Sequence, residues 1–191
     1  MDPKVKVKLF ATIERGALAK VVAIVVHQTG APTAASTLEC YKSVANGAHF
    51  LIDKDGAIYQ TARMTQRTYH VGRIRSRCLE THQCQAAEEK AAKALLYTRG
   101  QSYSARTNLL SESEKTKTYP NRYPTNDDSI GIEVVGGTTA GGYEHPTAAQ
   151  AASVRWLVAE LQRDLKLGGQ DVYRHPDVSY KNVTEAKEVQ W

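Results

Sequence analysis

His27 and His175 each stand directly after a stretch that reads as β-strand, and both carry side chains able to bind a metal. Strand ends are rigid, and in open α/β sheets ligands gather beyond them. Two imidazoles plus one anionic residue, with a fourth position left open, is the arrangement of catalytic zinc, in which bound water is acidified and attacks an amide or ester. Asp177 and Glu185, both downstream of His175, are the candidates for the anionic member. Glu133 is the other unusual residue, placed in the apolar run Ile130-Gly131-Ile132-Glu133-Val134-Val135. Strand alternation sends Ile130, Ile132 and Val134 to one face and Glu133 to the other. There it either lies on the open face of an edge strand or is buried at a cost. A buried carboxylate with a raised pKa suits a general base. His70 reads as a hydrogen-bonding loop residue and His49 as a structural one, while His82 and His145 sit in polar segments and receive no role.

These residues need a scaffold. Val21-Val22-Ala23-Ile24-Val25-Val26 is a continuous apolar run of strand length, rich in β-branched residues, as expected for a central strand covered on both faces. A short helix is expected from about 34 to 44. The pieces 49–52 and 57–60, joined by Asp53-Lys54-Asp55-Gly56, read as a hairpin because Asp-Gly suits a tight turn. After about residue 72 the chain changes character. A helix is expected over 85–97, followed by a polar stretch, 100–128, dense in Ser, Thr, Asn and Tyr and read as a loop. The strand 130–137 follows. A second clear helix begins after Pro146, capped by Thr147 with Gln150 three residues on. Its apolar stripe is Val154, Leu157, Val158, Leu161 and Leu165, and Gly168-Gly169 is expected to end it. A last short strand, 171–174, leads into His175. Strands and helices alternate, so the fold class is α/β: a single domain, 1–191, with a central mixed β-sheet flanked by helices and a long insertion at about 73–127.

The chain has 191 residues, with 25 Lys+Arg against 20 Asp+Glu, a net charge of +5 and a pI near 9.1. This mild basic balance permits an acidic polymer as partner, but the basic residues are scattered, so no dedicated nucleic-acid patch is indicated. No apolar run approaches the ~20 residues a membrane helix requires, so membrane insertion is not expected. The opening segment is too polar for a secretory signal, so synthesis in the cytoplasm without a signal peptide is expected. The three cysteines read either as reduced thiols or, in an oxidising compartment, as a Cys78–Cys84 disulfide beside a free Cys40.

Five segments, in order, resemble the zinc-dependent N-acetylmuramoyl-L-alanine amidases of the type 2 family: Val25-Val26-His27-Gln28-Thr29, Gly47-Ala48-His49-Phe50-Leu51-Ile52-Asp53-Lys54-Asp55-Gly56, Tyr69-His70-Val71-Gly72, Ser129-Ile130-Gly131-Ile132-Glu133 and Arg174-His175-Pro176-Asp177-Val178-Ser179. That family shares its fold with the peptidoglycan recognition proteins and phage amidase lysozymes. The resemblance implies a Zn²⁺ cofactor held by His27 and His175. Thr184-Glu185-Ala186 falls where bacterial relatives carry Thr-Asp-Pro, which makes Glu185 the third ligand, and Asp177 matches an acidic residue that is not one. One branch of the family works with a Tyr at the position of Ala48. The other works with a Glu at the position of Glu133, which is thereby assigned as catalytic base. Lys181 is implied as the group that stabilises the oxyanion, and His70 as a residue that binds substrate or developing charge.

The implied substrate is peptidoglycan or its muropeptides, cut between N-acetylmuramic acid and L-alanine. The alternative within the same fold is a module that binds muropeptides without cutting them. The segment around Cys78 and Cys84 and the ending from Lys181 to Trp191 look similar to amidases among secreted antibacterial effectors, such as those of type VI secretion. That implies work in the periplasm after delivery or lysis, and an immunity protein as partner. The alternative setting is cytoplasmic wall recycling.

Overall fold

Strand β2 (Ala23–Gly30) is buried over most of its length and anchors the sheet. The structure, a computed structural model, describes residues 4–191. With β1 (Val5–Val7), β3 (Phe50–Ile52), β4 (Ile58–Gln60), β5 (Ser129–Thr139) and β7 (Val172–Arg174), it forms one sheet in the order β1-β4-β3-β5-β2-β7, to which β6 (Gly142–Tyr143) adds by pairing with the end of β5. β3 and β4 are antiparallel and the other pairs on that path are parallel, so the sheet is mixed as expected. The hairpin turn has Gly56 at φ 85°, a conformation that glycine adopts without cost. The edge strand β1 was not legible in the sequence, being three residues of alternating Val and Lys.

One face of the sheet is covered by α5 (Ala148–Leu165). Thr147 Oγ1 accepts from Gln150 N–H at 3.1 Å and Gln150 Oε1 accepts from Thr147 N–H at 3.0 Å, the reciprocal cap expected from the sequence. Val154, Leu157, Val158 and Leu161 pack on Ile24, Val26, Ile130, Ile132 and Val134. Burying each such side chain contributes roughly 1.5–3 kcal/mol. The helix ends at Leu165, earlier than expected, because Lys166 rather than a glycine takes the left-handed conformation at φ 57°.

The other face carries the insertion and α1 (Ala34–Cys40), which ends before the expected residue 44 in a run of turns. Within the insertion lie α2 (Arg77–Glu80), α3 (Ala86–Leu96) and α4 (Tyr103–Lys115). α4 corrects the expectation of a loop over 100–128. Its buried face is Thr107, Leu110, Ser111 and Glu114, mostly polar, so it lacks the apolar stripe that marks a helix in sequence. Ser111 Oγ instead accepts from Ile74 N–H at 3.0 Å, and Thr107 Oγ1 accepts from Arg73 at 3.1 Å. Cys78 and Cys84 are joined in a disulfide, and Cys40 is free. Among the described residues no helix is long and apolar enough to cross a membrane.

Candidate active site

His27 lies inside β2, which runs on to Gly30, rather than beyond the end of a strand as the sequence suggested. The apolar run stops at Val26, but the backbone pairing continues, so polarity misplaced the boundary. His175 follows β7 and opens the short turn α6 (His175–Val178). The parallel register pairs His27 with Glu133 on β5 and Val26 with Arg174 on β7. His27, Glu133 and His175 therefore form one row across three strands, on the face opposite α5. β5 is an interior strand, which removes the edge-strand reading of Glu133.

Glu185 arrives from the C-terminal segment, where Asn182 O accepts from its backbone N–H at 3.0 Å. Its Oε1 lies 2.8 Å from His175 Nδ1 and 3.5 Å from His27 Nδ1. The three donor atoms all fall within 4.8 Å of one another, and all three residues are buried. Ligand atoms about 2.0–2.1 Å from a tetrahedral ion sit roughly 3.4 Å apart, a value these separations bracket. Burial alone would raise the Glu185 pKa. The hydrogen bonds and charge of His175 and His27 outweigh it and hold the carboxyl at about 2. Burial, and then His175, lower His27 to about 4, so near neutral pH it offers a lone pair. A carboxylate facing two imidazole nitrogens in a buried site is suited to a divalent cation. Asp177 faces elsewhere: it is exposed, and its Oδ2 accepts from Arg174 N–H at 3.3 Å, capping α6.

Glu133 has one carboxylate oxygen, Oε2, buried and without a hydrogen-bond partner. Burial first, then the nearby Glu185, push its pKa up to about 8, against which Lys181 acts only partly. With Lys181, His70, Tyr69, Tyr41 and Thr29 it lines a cleft of about 300 Å³. Lys181 itself is solvent-exposed. His70 lines the cleft too, yet both its ring nitrogens face inward, Nδ1 to His27 Nε2 at 3.0 Å and Nε2 to Ser129 Oγ at 3.3 Å. His175 Nε2 donates to Val71 O at 2.8 Å. His49 lies outside the site. Gly131 N–H donates to its Nδ1 at 3.0 Å, so Nε2–H donates to Gln66 O at 2.8 Å, and burial lowers its pKa to about 4. Ser129, Asn126 and the Val71 carbonyl were not found from sequence, since a backbone oxygen and two loop polar residues leave no pattern.

A mixed sheet carrying a buried His-His-Glu set, with a carboxylate oxygen that lacks a hydrogen-bond partner on the neighbouring strand, is an arrangement suited to a divalent cation beside a base. Residues 17–188 match the family described as N-acetylmuramoyl-L-alanine amidase, and the chain belongs to that family of peptidoglycan amidases. No curated protein matches the chain at a significant level. Among solved structures it is similar to a selenomethionine derivative of AmpD, with a TM-score of 0.59, 16% identity, and coverage of 100% of this chain and 92% of that one. The catalytic domain of XlyA gives a TM-score of 0.55 at 18% identity, covering 93% and 87%. The Drosophila peptidoglycan recognition protein SD gives 0.51 at 16% identity, covering 98% and 91%. At these identities the likeness is one of fold.

Proposed function

We propose that the protein is a zinc-dependent amidase that hydrolyses the bond between the lactyl group of N-acetylmuramic acid and the L-alanine of the stem peptide. The observation that carries this reading is Glu133, whose Oε2 is buried without a hydrogen-bond partner, in register with His27 beside the three-donor set. His27, His175 and Glu185 would hold the ion through Nδ1, Nδ1 and Oε1. When bound, zinc supplies a Lewis acid that polarises the scissile carbonyl and makes water a better nucleophile at neutral pH. Glu133, whose ionised form is favoured beside a bound cation, takes as carboxylate the proton from the attacking water and returns it to the leaving α-amine of L-alanine. Lys181, on the cleft wall, stabilises the developing oxyanion. The 300 Å³ cleft orients the muramyl–alanine junction against these groups.

The test is mass spectrometry of products released from purified peptidoglycan. Stem peptides with a free L-alanine amine are expected, lost on chelation and regained with zinc. Glycan fragments or peptides cut elsewhere would defeat the reading.

The workplace belongs to the same proposal: the periplasm of a competitor, reached through a secretion machine such as type VI or at lysis. The Cys78–Cys84 disulfide supports it, since disulfides persist in oxidising compartments and are rare in the cytosol. Such a delivered amidase is countered in its producer by a cognate immunity protein. Expression targeted to the periplasm should lyse cells, while cytoplasmic expression should not. Equal harm in both places would argue against delivery.

A further inference from the structure

Both candidate metal histidines are held by the same two consecutive residues, one by a side chain and one by a backbone. Proton counting shows how. Thr125 O can only accept, so the single hydroxyl hydrogen of Ser129 goes to it, at 2.6 Å. Ser129 Oγ then offers His70 Nε2 only lone pairs, so Nε2 carries the hydrogen, at 3.3 Å. In a neutral ring His70 Nδ1 is therefore bare and accepts from His27 Nε2–H at 3.0 Å. That leaves His27 Nδ1 bare and turned toward Glu185. The next residue does the same for the other histidine, because Val71 O accepts from His175 Nε2–H at 2.8 Å and leaves His175 Nδ1 turned toward Glu185.

The pair is itself pinned. Asn126 Oδ1 accepts from the backbone N–H of His70 at 2.9 Å and of Val71 at 2.8 Å. Gly131 makes room, since a Cβ there would stand 2.9 Å from His70 Cγ and Nδ1. Val71 and Asn126 stand at the two roots of the insertion.

We propose that His70 and Val71, clamped by Asn126, are positioning residues that set the ring orientation and bare nitrogen of both metal histidines. The proposal rests on reading His27, His175 and Glu185 as a zinc site. It gives His70 a role through His27 rather than through substrate. Partners that orient metal-bound histidines typically account for about 10–100-fold in metal affinity.

The experiment measures zinc affinity of the full chain by competition with a chromophoric chelator, with folding checked by circular dichroism. His70→Leu and Asn126→Leu, which keep neither hydrogen bond, should bind zinc about 10–100-fold more weakly. His70→Asn and Asn126→Asp, which keep the needed acceptor, should restore affinity to near that of the unaltered chain. Folded Leu variants with undiminished affinity would overturn the proposal. If those variants do not fold, Ser129→Ala, which removes one oxygen from the relay, carries the test: weakened zinc binding supports the relay and unchanged binding overturns it. An unaltered chain that takes up no zinc overturns the metal reading beneath, whereas normal uptake with indifferent variants overturns the clamp alone.

Discussion

His27 and Glu133 are register partners in the parallel pairing of β2 and β5, so a candidate metal ligand and a carboxylate with one unpartnered oxygen stand side by side on one rung of the sheet. Their separation is therefore set by backbone hydrogen bonds rather than by flexible loops. A base fixed in this way can meet a water held beside His27 without reorganisation, the condition under which positioned proton transfer is effective.

Glu133→Gln should retain zinc while losing about 10²–10⁴-fold in kcat, the usual worth of a positioned general base. Stem-peptide release and metal content measured on the same sample check this. Turnover near the normal rate would remove Glu133 from the mechanism.

The same substitution should stabilise the metal-free protein at high pH. The Glu133 pKa is about 8 folded against 4.5 ordinarily, so between these values the unfolded chain has lost a proton that the folded chain keeps. The contribution of Glu133 to stability then falls as pH rises through that window. Glu133→Gln removes that contribution: near pH 5 the two proteins should unfold alike, and above about pH 8 the variant should be more stable by roughly 2–4 kcal/mol. Urea unfolding in the presence of chelator at the two pH values reads the difference.

Gly131→Ala should cost about 1–3 kcal/mol, because the added methyl meets the His70 ring at 2.9 Å and Ala48 Cβ at 3.1 Å in a packed layer. Displacing His70 should also weaken zinc binding, so thermal unfolding and chelator competition should move together.

Replacing Cys78 and Cys84 by Ser should lower stability by about 2 kcal/mol, as expected for so short a closed loop. Zinc content should not change, since neither cysteine touches the donor residues. Unfolding midpoints with and without reductant give the comparison.

The apolar runs made the central strands legible, and the Thr147–Gln150 cap with its stripe made α5 legible. Both are signals of burial against one dominant layer. α4 escaped because it buries Thr107, Ser111 and Glu114, which satisfy backbone and side-chain partners instead of filling an apolar core. His27, His175, Glu185 and Glu133 could be picked out by residue type and motif order, and the structure brings them together. The groups that orient them could not, because a carbonyl such as that of Val71 is the same in every residue, and Asn126 is one polar loop residue among many. The expectation that His70 binds substrate was drawn from motif, which carries no information on where ring nitrogens point; His70 lines the cleft, with both ring nitrogens on protein partners.

The donor set is gathered from residues 27, 175 and 185 and oriented by 70, 71 and 126, so it draws on nearly the full length of the chain. Nothing short of the completed fold assembles it. A nascent chain still on the ribosome, a proteolytic half, or a polypeptide threaded in extended form through a narrow channel holds only scattered histidines and carboxylates. Hydrolytic capacity therefore depends on the assembled fold, wherever folding takes place.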